Sequence, residues 1–219
     1  MYLPEHFAQH DPATLHALMR EHPLATLVTP AGDGDGNGSI SADLVPLEYE
    51  PGVGAHGELR GHVARANPLW RLAAGRPVLA VFHGPQVYVT PSWYATKAQT
   101  HKVVPTWNYT VVQARGVLHA EADAPWLHAL VSRLTAQHEG GRAQPWAVSD
   151  APADYVQQML RAIVGIRIPV QQLVGKWKVI QNRNEADRLG VAGGLHDHPM
   201  AHLVREGGLP GTPMKETTR

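Results

Sequence analysis

The chain reads as an α+β fold, a small closed or half-open antiparallel β-barrel with helices inserted between its strands. Three observations predict this. About seven short runs alternate apolar and polar residues or are rich in β-branched ones. Most are joined by connections too short for the crossover that a parallel pair requires. Helical periodicity is confined to a few segments between the strands, which argues against a doubly wound sheet.

In chain order, "DPATLHALMREH" (11–22) opens as a helix. Asp11 stands as N-cap, Pro12 takes the first helical position, and Leu15, Leu18, Met19 and His22 share one face. "LATLVT" (24–29) is a strand, and after the loop "PAGDGDGNGS" a second begins, in which Ile40, Ala42 and Leu44 alternate with Ser41 and Asp43. "ELRGHV" (58–63) is a strand with Glu58, Arg60 and His62 on one face. "NPLWRLAAG" (67–75) is a helix capped by Asn67 and stopped at Gly75. Strands are expected at 78–82, 87–93 and 108–121.

The clearest helix spans 124–139, with Leu127, Leu130, Val131 and Leu134 as its apolar stripe and Gly140-Gly141 as its end. A shorter helix at 153–162 precedes a strand region at 163–181, which Pro169 and Gly175 are expected to interrupt. Residues 182–195 read as helical. The expected organisation is one domain over 1–195, followed by a Gly/Pro-rich tail over 196–219 that is poorly ordered alone.

Lys plus Arg equals Asp plus Glu at 19 each, and the sequence pI is about 7.3. That balance lacks the basic footprint of a dedicated DNA binder. The absence of cysteine excludes disulfides and thiolate metal sites. "MYLPEHFAQH" does not read as a secretory leader, and no apolar run reaches the roughly 20 residues of a membrane span. A cytoplasmic protein with no membrane partner is expected.

Several motifs fail on their context. Gly52, Gly54 and Gly57 have dinucleotide-fold spacing, but a strand follows where a helix is needed. Asp33, Asp35, Asn37 and Gly38 imitate a calcium loop, but Leu44 stands where a bidentate Glu belongs. His196, His198 and His202 cluster in the tail without a visible supporting shell, so no metal site is expected. There is no G-x-S-x-G elbow for a hydrolase.

Other stretches carry chemistry. "GHVARANPLW" leads from a strand into a helix start, where free amides and Arg65 together suit a phosphate. "GKWKVIQNR" repeats the theme, with Lys176 and Lys178 on one face of a strand and Trp177 and Val179 on the other; the alternative is an edge strand guarded by lysines over a buried Trp. "PSWY" (91–94) and "PTWNY" (105–109) set Trp93 and Trp107 among prolines and hydroxyls, with Lys97, His101 and Lys102 between them. Such company offers a flat anionic ligand a stacking wall, hydrogen bonds and cations, whereas core packing remains the commoner role of any one Trp.

Taken together, "MYLPEHF", "GHVARANPLW", "VFHGPQVYVTPSWY", "VPTWNYTVVQARG" and "GKWKVIQNRNEADRLGV" resemble the PaiB-like family of FMN-binding negative transcriptional regulators. The likeness runs from Met1 to about Leu195, although "ATKAQTHKV" looks longer than the usual connection. It implies a split β-barrel of the pyridoxamine-phosphate-oxidase type with peripheral helices, commonly a homodimer holding FMN at the subunit interface. It also implies that Arg65 and Asn67 hold the FMN phosphate. His62, Thr106, Trp107 and Asn108 would approach the ring or ribityl chain, and Lys176, Trp177 and Arg183 would close the site. His62 or Lys176 would supply a cation to stabilise reduced flavin. No catalytic acid, base or substrate pocket is identified. The resulting expectation is an FMN-dependent redox protein or a ligand-responsive negative regulator, acting through DNA or a regulatory protein partner. A haem-binding or haem-degrading split barrel is the alternative.

Overall fold

Local signals place most of the helices. In the computed structural model, which describes residues 1–31 and 39–207, Asp11 caps α1 (Pro12–Glu21) by accepting from the Thr14 amide at 2.9 Å and its hydroxyl at 2.6 Å. Asp123 caps α4 (Ala124–Glu139) and Asn184 caps α6 (Glu185–Leu195) in the same way, through the amides of Trp126 and Asp187. The remaining helices are α2 (Leu69–Leu72), α3 (Thr96–Thr100), α5 (Ala153–Arg161) and α7 (Met200–Arg205). The calcium-like positions Asp33, Asp35, Asn37 and Gly38 lie outside the described residues.

The strands are β1 (Ala8–Gln9), β2 (Leu24–Pro30), β3 (Ile40–Pro46), β4 (Glu48–Glu50), β5 (Glu58–Ala64), β6 (Pro77–Val89), β7 (Thr106–Val117), β8 (His119–Glu121) and β9 (Ile163–Lys178). Hydrogen-bonded neighbours run β3-β2-β6-β7-β9-β5-β4, with β1 and β8 also paired to β9. The pairs β1/β9, β2/β3, β2/β6, β4/β5, β5/β9 and β8/β9 are antiparallel. The expected α+β class with an antiparallel sheet is what forms.

Several boundaries differ from the sequence expectation, among them a helix expected over 67–75 that is only Leu69–Leu72 and a strand expected over 108–121 that is split into β7 and β8. Residues 78–82 and 87–89 belong to one strand, β6, because Gly84 does not break it. A Cβ at Gly84 would overlap the Thr110 hydroxyl and crowd Leu18, so the glycine marks a close approach rather than a strand end. Strand β9 likewise runs through Pro169 and Gly175, and a Cβ at Gly175 would overlap Leu15. Beyond residue 196 the chain forms α7, whose Met200, Ala201 and Val204 are buried.

The chain divides into two compact units, with the divisions falling in α1, β6, β7 and β9. The first comprises Met1–Leu18, His83–Val112 and the described part of Val174–Arg219; the second comprises Met19–Phe82 and Gln113–Leu173. In the first, Val89, Tyr94, Val179, Ile180, Val191, Leu195, Met200 and Val204 form an apolar cluster, onto which Trp93 and Leu203 pack. In the second, Leu27, Leu59, Phe82, Leu127, Leu130 and Ile166 are among the buried side chains. There Glu58 is 0% exposed and sits between Arg60 Nε at 2.8 Å and Arg167 Nη2 at 2.9 Å. Burial pushes the Glu58 carboxyl up, but its hydrogen bonds to the two guanidinium groups outweigh that and hold it below its ordinary value. No helix among the described residues is long and apolar enough to cross a membrane.

Candidate functional site

The nine residues expected at a ligand site fall in both units. His62, Arg65 and Asn67 belong to the second unit; Thr106, Trp107, Asn108, Lys176, Trp177 and Arg183 belong to the first.

In the second unit the turn between β5 and α2 commits its polar groups to neighbouring parts of the same unit. Arg65 donates from Nε to the Arg161 carbonyl at 2.7 Å and from Nη2 to the Ile163 carbonyl at 2.8 Å. Asn67 accepts from the Leu69 amide at 2.9 Å and donates to Asp43 at 3.1 Å. Helix α2 has only four residues, so it offers little of the dipole that favours an anion. His62 lies on β5 with Nδ1 buried and without a hydrogen-bond partner among the described residues. Burial lowers its pKa and favours the neutral ring, so the expectation of a cation at His62 meets an opposing desolvation cost.

The first unit is arranged differently. A pocket of about 130 Å³ is lined by Phe7, Tyr94, Val104, Pro105, Thr106, Lys178, Ile180, Asn182 and Arg183. Lys178 donates from Nζ to the Thr106 hydroxyl and, at 2.7 Å, to the Trp107 carbonyl. Burial, reinforced by the charge of Lys176, holds the Lys178 ammonium below the ordinary lysine range. The Arg183 guanidinium lies 4.9 Å from the centre of the Tyr94 ring, a cation–π distance.

The chain reaches this pocket through a tight turn. Gln181 accepts from the Val179 amide at 2.9 Å and donates to the Trp177 carbonyl at 2.6 Å, while the Arg183 amide donates to the Ile180 carbonyl at 2.9 Å. Ile180 has φ +54°, the left-handed region that a β-branched residue rarely occupies.

The other expected residues of this unit are distributed around that framework. Trp107 is 55% exposed and meets Tyr88 edge to face, with ring centres 6.1 Å apart. Asn108 is 0% exposed, and neither atom of its amide finds a partner among the described residues. The Thr110 hydroxyl is in the same state, and alternation puts Thr106, Asn108 and Thr110 on one face of β7. Lys176 is buried, with Nζ on the Tyr2 carbonyl at 2.9 Å and within cation–π range of Tyr2 and Tyr109. Trp177 is only 4% exposed, the buried-Trp arrangement weighed from the sequence. Thus Thr106 and Arg183 share the pocket, whereas Lys176 and Trp177 are not among its lining residues.

Sequence reasoning left Tyr94, Lys178 and Asn182 out of the site. Lys178 was visible beside Lys176 in "GKWK", and what separates them is depth, which strand alternation alone does not supply. Trp93 is a packing residue: a Cβ at Gly194 would overlap its ring and one at Gly190 its backbone oxygen.

A family model described as "Putative FMN-binding domain" matches residues 1–172. The match stops before Lys176, Trp177, Lys178 and Arg183. An uncharacterized protein of Emericella nidulans is 33% identical over 95% of this chain and 98% of its own length. The Bacillus subtilis "Protease synthase and sporulation protein PAI 2" is 30% identical over 94% of this chain and 95% of its own. Among solved structures, the flavocytochrome Anf3 from Azotobacter vinelandii superposes with a TM-score of 0.52 at 12% identity, covering 78% of this chain and 69% of that one. This likeness agrees with the α+β fold and antiparallel sheet expected from the sequence.

Proposed function

The chain belongs to the FMN-binding family whose domain spans residues 1–172, and on that premise we propose that it is a flavin-responsive redox protein with a negative regulatory output. The observation that carries the flavin site is the pocket of the first unit. Lys178 and Arg183 line it with no carboxylate among the lining residues, which suits a phosphate. Trp107 lies on the opposite face of β7 from Thr106 and outside the pocket lining, so its exposed indole would meet a flat ring only beyond the pocket. These residues fit the cofactor, and the unpaired amide of Asn108 is a further group that a bound polar molecule or water would satisfy.

Bound FMN would supply electron transfer. The protein's part would be to hold the phosphate through Lys178 and Arg183, present an indole face at Trp107 and limit water through Phe7, Val104 and Ile180. The regulatory output is supported by the 30% identity to a relative whose name concerns protease synthase and sporulation. With equal numbers of acidic and basic residues, a protein partner suits that output better than direct DNA binding. The exposed Tyr88–Trp107 pair gives a second copy of the chain an apolar surface, consistent with a homodimer.

The test is the visible spectrum of the purified protein, followed by titration of its colourless fraction with FMN and with haem. A flavin spectrum or saturable quenching of FMN fluorescence is expected. A Soret band without flavin binding would overturn the proposal. Light scattering across the titration would report the oligomeric state.

A further inference from the structure

We infer that the turn over residues 177–183 is a phosphate clamp, and that it, rather than Arg65 and Asn67, makes the site prefer a phosphorylated flavin. The inference rests on the flavin reading for its ligand but on the turn for its chemistry.

The turn is over-determined. A β-branched residue in the left-handed region is strained and persists only where its surroundings hold it there. Here Gln181 bridges the Val179 amide and the Trp177 carbonyl, while Ile180 itself is buried in the apolar cluster. The reversal brings Asn182 and Arg183 into the same pocket as Lys178.

What it presents is unsatisfied positive charge. Stacking on Tyr94 orients the half-buried Arg183 guanidinium, whose N–H groups meet no acceptor among the described residues. Lys178 uses two of its three N–H bonds on Thr106 and Trp107. Asp187, which acts electrostatically on Tyr94, is occupied: it accepts from the Thr96 amide and hydroxyl, both at 2.8 Å. At about 130 Å³ the pocket is smaller than the roughly 300 Å³ at which sites for whole small molecules begin. It therefore admits a charged end group and leaves a ring system outside. A phosphate monoester, with a charge of about −1.5 to −2 and three acceptor oxygens, matches that donor set and can engage arginine bidentately.

The experiment compares FMN with riboflavin, which differ only in the phosphate, by fluorescence titration of wild type, Lys178→Met, Arg183→Gln and Arg65→Gln. Wild type is expected to bind FMN at least about tenfold more tightly, the scale of one charge-assisted hydrogen bond. Lys178→Met and Arg183→Gln should each bring that ratio toward one, with circular dichroism of each variant reporting an intact fold. Arg65→Gln should leave it unchanged. A ratio near one in wild type, a ratio indifferent to both pocket substitutions, or one abolished by Arg65→Gln would overturn the clamp while leaving flavin binding intact. If neither flavin binds, the flavin reading fails and titration with inorganic phosphate decides the clamp. Saturable binding lost in Arg183→Gln upholds it; no binding sinks it.

Discussion

Trp93 and Trp107 stand in nearly the same sequence setting, each after a proline and a small hydroxyl residue, yet they occupy opposite environments. Trp93 lies against Gly190 and Gly194 of α6 and joins the apolar cluster of the first unit. Trp107, on β7, is more than half exposed beside Tyr88. The difference comes from what α6 brings to one of them: glycines without side chains leave room for an indole. An aromatic motif in sequence therefore announces a large flat side chain, whereas its use is set by distant residues.

The strongest way to break this comparison is to refill that room. Gly190→Ala should destabilise the protein by about 1–3 kcal/mol, because the new Cβ overlaps the Trp93 backbone oxygen. This is a net loss despite the helix-propensity gain of about 1 kcal/mol from replacing glycine. At Gly193, on the same helix, an added Cβ would meet nothing within 4 Å; Gly193→Ala should therefore gain up to about 1 kcal/mol. Denaturant midpoints that fail to separate the two substitutions would show that α6 is not what fixes Trp93.

Trp107→Ala probes the other side. Its stability should fall by no more than about 1.5 kcal/mol, the upper worth of its edge-to-face pair with Tyr88. Loss of a stacking wall worth about 0.5–1.5 kcal/mol should weaken FMN binding by roughly 2–10-fold. A large stability loss with unchanged flavin affinity would place Trp107 in the same structural role as Trp93.

The same distinction separates what was legible in the sequence from what was not. The Asp11 cap wrote α1 and the apolar stripe of Leu127, Leu130 and Leu134 wrote α4 plainly, since both signals act within a turn or two. Gly84, Pro169 and Gly175 looked like strand breaks because whether glycine marks a break or a close approach depends on the neighbouring strand or helix. Arg65 was expected to hold the phosphate and Arg183 to close the site. The backbone carbonyls of Arg161 and Ile163 occupy the first, while Tyr94 orients the second without an acceptor. The turn that positions Arg183 was illegible for a further reason: its left-handed residue is Ile180, where sequence leads one to look for Gly or Asn.

The smallest expected effect is a pH dependence that distinguishes the clamp from a passive cationic patch. Burial and then Lys176 lower the Lys178 pKa from the ordinary lysine value of 10.5. The phosphate loses its second proton near pH 6 and arginine stays charged, so above neutrality Lys178 is the member of the clamp whose charge changes. The FMN-to-riboflavin affinity ratio should fall as pH rises through its lowered folded-state pKa. Stability should move the other way. Between the folded and unfolded pKa values the unfolded chain binds more protons, so this group's contribution to unfolding free energy rises with pH. Tyr94 opposes that trend only above its ordinary value of 10.0, because burial raises its pKa; the diagnostic window therefore lies below pH 10. Lys178→Met should flatten both curves there. A wild-type ratio that stays flat across the titration of Lys178 would mean that its ammonium does not face the phosphate and that Arg183 holds the anion without it.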